Sequence, residues 1–224
     1  MVKIGSPRNI VLIPSAGSGS RMGGQTPKQY QLIAGQAMIE HTLRIFLRHP
    51  YIDEVWVLLA PEDTHEFDGC RVLRCGGETR AQMVLNGLRQ ITATENDWIL
   101  VHDAARPCLS QDGLGRLLTE LQEEAIGGLL AVPVADTLKK ADPAQRVAAT
   151  VDRSALWQAQ TPQMFRYSLL VKALEGMAEA TDEAQAIERL GHAPRLILGE
   201  RNNIKVTYPE DIELANLVLQ GRTT

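Results

Sequence analysis

At 224 residues the chain is long enough for one large α/β domain with a substantial buried core. Its net charge of −4 provides no global basic field, which argues against a general nucleic-acid binder and makes any phosphate site a local construction. The start, MVKIGSPRN, lacks the apolar core of a signal peptide, and no apolar run approaches the length of a membrane span. Cys70, Cys75 and Cys108 lack metal-ligand spacing. A cytoplasmic protein with reduced thiols and no membrane partner is therefore expected.

Ile10 to Ile13 is a short apolar run that predicts a buried strand, ended by Pro14. Ser15-Ala16-Gly17-Ser18-Gly19-Ser20 follows with almost no side-chain bulk. Uncovered N–H groups and glycines allow such a backbone to turn inward as an anion-binding nest. Arg21 and Lys28 bring two cations to it. A surface turn would also use these residues, but the strand before them and the cations after them favour phosphate. A dinucleotide fingerprint is excluded, because Met22 stands where the third glycine belongs, and no Walker Gly-Lys-Ser/Thr occurs.

Met38 to His49 places Ile39, Leu43, Phe46 and Leu47 on one helical face. Glu54 to Ala60 is the second expected strand, and Arg71 to Cys75 a third that leads to Gly76-Gly77. Thr79 to about Ala93 predicts a helix with Ala81, Val84, Leu85, Leu88 and Ile91 on one side. Trp98 to His102 reads as a buried strand with Asp103 leaving its carboxyl end; a helix marked by Leu114, Leu117 and Leu121 follows, then a strand from Leu129 to Val134. This alternation predicts a doubly wound, mostly parallel sheet in a single domain over residues 1–224, with ligands outside the carboxyl ends of its strands.

Ala135 to Val151 breaks the rhythm. It is charged, with Asp142-Pro143 as a turn signal, and reads as a protruding β-hairpin arm, a plain surface loop being the alternative. Helices are expected near Arg166 to Ala180 and from Thr181 to Leu190, strands at Arg195 to Leu198 and Ile204 to Val206, and a closing helix from Pro209 to Gln220.

Asp103 is the best candidate metal ligand: a carboxylate at a strand end beside a phosphate loop suits Mg²⁺, and equally a turn cap. Lys205 is a cation set in an apolar strand, so its charge must reach a rim or a partner, and a solvated strand face would explain it equally well. Thr181-Asp182-Glu183 reads as a helix start, a hydroxyl cap followed by acids. His102 is taken as a packed residue of its strand.

The glycine loop with PKQ resembles the signature of nucleotidyltransferases that join a nucleoside triphosphate to a sugar phosphate. PSAGSGSRM, PKQY, GGETR, VHDAARP, DTLKK, TVDR, TPQ, TDEA and NNIKVTYPED stand in one fixed order from Ile10 to about Leu219. In that order they resemble the 2-C-methyl-D-erythritol 4-phosphate cytidylyltransferase family of the non-mevalonate isoprenoid pathway. The form fused to a second catalytic domain is not what the chain resembles.

The resemblance implies a Rossmann-like nucleotidyltransferase that uses CTP, Mg²⁺ and methylerythritol phosphate and releases pyrophosphate by in-line attack at the α-phosphorus. It implies that Arg21 and Lys28 stabilise the charge building on the phosphates and that Asp103 lies near the metal. It also implies a nucleotide site of Pro14, Ser15, Ala16, Gly17, Gly19, Gly77, Glu78, Arg80, Met83 and Ala104. Asp103, Arg106 and Lys205 would take the sugar phosphate with Thr161, and the arm of a second copy would supply Thr137 and Arg153 in a homodimer.

Two positions depart from the family pattern. Ser15 replaces an alanine, a small change. Met83 stands where a serine usually contacts the nucleotide, so base selection would fall to backbone near Ala16, Gly77 and Glu78, with weaker CTP binding or looser base choice. Alternatives are a cytidylyltransferase for another polyol phosphate such as ribitol 5-phosphate, or an inactive nucleotide-binding regulator, against which the retention of Arg21, Lys28, Asp103, Arg153 and Lys205 speaks.

Overall fold

The computed structural model describes residues 6–16, 26–177 and 179–222. The first strand, β1 (Asn9–Pro14), is apolar at four successive positions because it is covered on both faces, as an interior strand of a parallel sheet must be. After it come a 3-10 turn at Lys28–Tyr30, a small hairpin of β2 (Leu32–Ile33) and β3 (Gln36–Ala37), and α1 (Met38–Leu47). β4 (Glu54–Leu58), β5 (Arg71–Leu73), α2 (Arg80–Leu88), β6 (Trp98–Val101), α3 (Gln111–Leu121) and β7 (Gly127–Pro133) continue the alternation. The arm is β8 (Leu138–Ala141) with β9 (Val147–Val151); then come β10 (Trp157–Arg166), α4 (Tyr167–Glu175), α5 (Glu183–Arg189), β11 (Arg195–Leu198) and α6 (Pro209–Gln220).

The main sheet has the order β11-β7-β10-β6-β1-β4-β5 and is parallel except for β10, which runs antiparallel to both neighbours. Alternating side chains of β1 divide the core. Ile10 and Leu12 face a layer with Val84, Leu88, Leu170 and Ile187 from α2, α4 and α5. Val11 and Ile13 face Leu43, Phe46, Leu114 and Leu117 from α1 and α3. The chain builds outward from β1 to β4 and β5, then crosses back to lay β6 on the other side of β1. The carboxyl ends of β1 and β6 are thus the switch point where such sheets open a crevice.

The doubly wound sheet and the arm match the expectation from sequence. Within residues 135–151, β8 and β9 pair antiparallel as a sheet of their own, and every residue of both strands is exposed. The Asp142 carboxylate closes the turn by accepting from the N–H groups of Ala144 and Arg146 at 2.9 and 2.8 Å.

Three differences have physical reasons. Ile204 to Val206 is not a strand: Val206 N–H bonds Ala105 O at 2.8 Å and its side chain is buried beside Ile33 and Ala215, but the segment joins no ladder. The helix expected to reach Ala93 ends at Leu88, where Gln90 and Ile91 both turn back onto Gly87 O. β10 has no clear signal in the sequence, because WQAQTPQMFR carries buried glutamines and a proline instead of an apolar run, and its pairing to β7 is interrupted between Ala159 and Gln163. That interruption, beside the end of β6, carries Thr161.

Candidate active site

The end of β1 is fixed from two sides. Ser15 N–H donates to Leu58 O at 2.8 Å, and the Gln29 side-chain amide donates to Ser15 O at 2.7 Å, which ties the turn bearing Lys28 to the strand end. Gly17, Gly19 and Arg21 lie outside the described residues.

The facing wall comes from Gly76-Gly77 and the start of α2. Gly76 N–H donates to Leu59 O at 3.1 Å, and the Asn86 amide donates to Gly76 O at 3.1 Å. A Cβ on Gly77 would lie 2.5 Å from Met83 N, so the close approach of this loop to the first turn of α2 requires glycine. Thr79 caps that turn by accepting from Gln82 N–H at 3.0 Å, which fixes where Arg80 and Met83 leave the helix.

Asp103 stands between these walls. Arg80 Nε donates to its Oδ1 at 3.0 Å, and Lys205 Nζ lies 2.7 Å from its Oδ2. Burial by itself would raise this carboxyl, but Arg80 and Lys205, with Arg106 adding less, hold it well below the usual carboxylate range. Lys205 therefore takes its charge to the rim through irregular backbone.

Behind Asp103 runs a directed hydrogen-bond chain. His102 Nε2 lies 3.1 Å from Arg106 O, a pure acceptor, so Nε2 carries the proton and Nδ1 accepts from Thr161 Oγ1 at 3.0 Å. Thr161 Oγ1 accepts in turn from Asp103 N–H at 3.1 Å. Arg106 donates to Asn203 O at 2.6 Å and Ala159 O at 3.3 Å, and Asn203 donates to Thr161 O at 2.9 Å.

These walls enclose a cavity of about 300 Å³. Pro14, Ser15, Ala16 and Lys28 line one side, Gly77, Glu78, Arg80 and Met83 the other, and Asp103, Ala104 and Lys205 the floor. Arg106 and Thr161 are buried next to the floor and outside the lining. Thr137 and Arg153 are exposed on and beside the arm, also outside the lining.

The match to known proteins covers the same ground. A family model described as IspD: 2-C-methyl-D-erythritol 4-phosphate cytidylyltransferase matches residues 9–221. The chain belongs to this family. A cytidylyltransferase of that name from Dechloromonas aromatica (strain RCB) is 52% identical over 226 residues, covering 96% of this chain and 99% of the relative. A crystal structure of a 4-diphosphocytidyl-2C-methyl-D-erythritol synthase superposes with a TM-score of 0.86 at 46% identity, covering 96% of this chain and 99% of the other. The 2-C-methyl-D-erythritol 4-phosphate cytidylyltransferase of Thermus thermophilus gives 0.80 at 30% identity, covering 93% and 98%.

For a member of the 2-C-methyl-D-erythritol 4-phosphate cytidylyltransferase family, the site contains residues that spacing did not reveal. Asp182, not Thr181, caps α5, accepting from Gln185 N–H at 2.9 Å. Glu183 is fully buried against Arg80, at 2.6 Å, where a solvated helix-start acid was expected. Gln29, the residue after Lys28 in PKQ, and Asn203 in NNIKVT lay inside quoted motifs, but next to Lys28 and Asn202 neither stood out as a polar residue destined for burial.

His102 makes a pH prediction. Burial, opposed by its bond to Arg106 O, lowers its pKa to about 4, so the folded protein keeps it neutral where the unfolded chain protonates it. Stability contributed by neutral His102 is present above about pH 6.5 and is lost as pH falls toward 4, by up to about 3 kcal/mol. Urea titrations between pH 7 and 4 should show this loss in the wild type and a shallower slope in His102→Gln. Identical slopes would refute it.

Proposed function

We propose that the protein transfers a cytidylyl group from CTP to 2-C-methyl-D-erythritol 4-phosphate, forming 4-diphosphocytidyl-2-C-methyl-D-erythritol and pyrophosphate. The observation that carries this is the convergence of Lys28, Arg80, Asp103 and Lys205, with the slim backbone of Ser15, Ala16 and Gly77, on one cavity at the carboxyl ends of β1 and β6. Family membership over residues 9–221 favours this acceptor over other polyol phosphates and an active enzyme over a silent binder.

In this reading the acceptor's phosphate oxygen attacks the α-phosphorus of CTP, the new P–O bond forming as the bond to pyrophosphate breaks in line. The attacking phosphate is already an anion, so no general base is required. The titratable groups at and behind the floor are not built as one: His102 is buried in its chain of donors and acceptors, and Asp103 is held ionised by two cations. Lys28 and Arg21 stabilise charge on the α-phosphate and the departing group, and Lys205 faces the acceptor phosphate.

Mg²⁺ belongs to the same proposal. Among the described residues no three ligand-type side chains gather, so these residues cannot cage a metal alone. A single ionised carboxylate, Asp103, fits an ion that takes most of its oxygens from the triphosphate and water. Bound there, the ion would neutralise triphosphate charge. The setting is the cytoplasm, supported by three free cysteine thiols. Among the described residues no helix is long and apolar enough to cross a membrane.

The homodimer is proposed on the arm. Leu138, Val147, Val151 and Trp157 are 37%, 67%, 37% and 39% exposed on or beside a two-stranded ribbon, and such a ribbon gains little stability unless it packs on something. A second copy would bury them and bring Thr137 and Arg153 to the cavity of its partner.

Pyrophosphate release with CTP, Mg²⁺ and methylerythritol phosphate tests the reaction. Turnover should vanish with EDTA and fall roughly 10²- to 10³-fold in Lys28→Ala; no product, or a preference for ribitol 5-phosphate, would sink the assignment. Met83→Ser should lower the KM for CTP or sharpen discrimination against UTP, and unchanged values of both would remove the role given to Met83. Mixing and refolding Arg153→Ala with Lys205→Ala should restore up to about a quarter of wild-type turnover, because about half of the dimers would be mixed and each of these regains one of its two sites. Failure of complementation in mixed dimers confirmed by mass would place each site within a single chain.

A further inference from the structure

Glu183 has no place in the reaction so far, yet its carboxylate is carried fully into the interior. It is the first residue of α5 and is fully buried, and one of its oxygens, Oε2, has no partner among the described residues. A buried carboxylate is costly, and a glutamine of the same shape would avoid that cost. Its charge is also unnecessary for the helix start. Asp182 caps α5, Gln163 Nε2 donates to Asp182 Oδ2 at 3.0 Å, and Gln163 Oε1 accepts from Ala184 N–H at 2.8 Å. The backbone around Glu183 is therefore fixed by groups other than its own carboxylate.

What that carboxylate touches is Arg80, whose Nη1 lies 2.6 Å from Oε1. On the other edge of the guanidinium, Nε is bonded to Asp103 at 3.0 Å, and the third nitrogen, Nη2, is buried without a partner among the described residues. Two acids pulling on two edges of a rigid planar fork fix both its position and its plane. With Glu183 neutral or shortened, the only strong anchor left is Asp103, and the fork would rotate to meet it with two nitrogens. The guanidinium would then turn out of the plane and place it holds at the cavity wall.

We infer that Glu183 is a positioning residue that fixes the place and plane of the Arg80 guanidinium at the cavity wall, which rests on the nucleotide-binding reading of Arg80. Glu183 touches no substrate and acts only through Arg80.

The test is steady-state kinetics of Glu183→Gln, Glu183→Asp, Arg80→Gln and the Arg80→Gln/Glu183→Gln double variant, with each substrate varied at saturation of the other. Each Glu183 variant should raise the KM for CTP about tenfold and leave that for the acceptor within twofold. In the Arg80→Gln background the Glu183 change should add less than twofold. Equal rises for both substrates, or losses that multiply in the double variant, would overturn the inference. So would failure of both Glu183 variants to fold, which would make Glu183 a structural residue. A wild type that turns over CTP while the Glu183 variants match it defeats this inference alone; a wild type that turns over no CTP defeats the cytidylyltransferase reading and this inference with it.

Discussion

The ionised Asp103, held between Arg80 and Lys205, is the interaction on which the site depends. It joins three pieces of chain far apart in sequence: the start of α2, the end of β6 and the segment after Asn203. None of these would meet through apolar packing alone, since Lys205 and Arg80 are long, solvated side chains in the unfolded protein. At 2.7 and 3.0 Å the two contacts oppose the penalty of burying a carboxylate, and removal of either partner would leave charge uncompensated. Glu183 extends the same logic one step, so that acid, base, acid and base alternate from behind the cavity wall to its floor. The cluster is neutral in sum, and this lets it stay buried while presenting cations to an anionic ligand.

The scaffold makes that arrangement possible by leaving a gap. β1 and β6 are neighbours whose following chains lead to opposite edges of the sheet, β1 to β4 and β6 to β7, so among the described residues it is loops that meet their carboxyl ends. β10, running antiparallel between β6 and β7, brings the one interior strand whose side chains are polar near this rim. Gln160, Thr161 and Gln163 are all buried, and each hydrogen-bonds a loop that carries site residues. A strand with a continuous apolar run would have packed well and positioned nothing.

The parts legible in sequence are those set by local pattern. The apolar run of β1, the amphipathic faces of α1, α2 and α3 and the Asp142 turn of the arm could be read because each depends on neighbours within a few residues. So could the loops that end on the rim, since β1, β5 and β6 each deliver one. What could not be read depends on partners distant in the chain. Lys205 looked like a strand residue because Ile204 and Val206 alternate around it, and only the single bond from Val206 to Ala105 shows that no ladder forms. Glu183 followed a threonine and an aspartate in a pattern that serves as a helix cap, and its charge gave no sign that Arg80, 103 residues earlier, would cover it. Resemblance to the family supplied the roles of Arg106, Thr137, Arg153 and Thr161, which spacing alone left without meaning.

Transfer between two phosphates asks a protein for permanent charge and fixed geometry more than for proton exchange, and the local chemistry agrees with that demand. Burial, against the pull of its bond to Arg106 O, keeps His102 neutral down to about pH 4, so it holds the turn from Asp103 to Arg106 in one form throughout the neutral range. Asp103 is pressed the other way, toward permanent ionisation, and its neighbouring acids hold Arg80 cationic. Each of these three is driven away from the pH at which it would switch; Glu183, whose carboxyl burial pushes up, is the exception and lies behind Arg80, outside the cavity lining. A site built to shuttle protons would do the opposite, bringing a histidine or carboxylate toward neutrality. The electrostatics that stabilise the fold around Asp103 are therefore the same electrostatics that would steady a nucleotide's phosphates, and one set of buried charges serves both purposes.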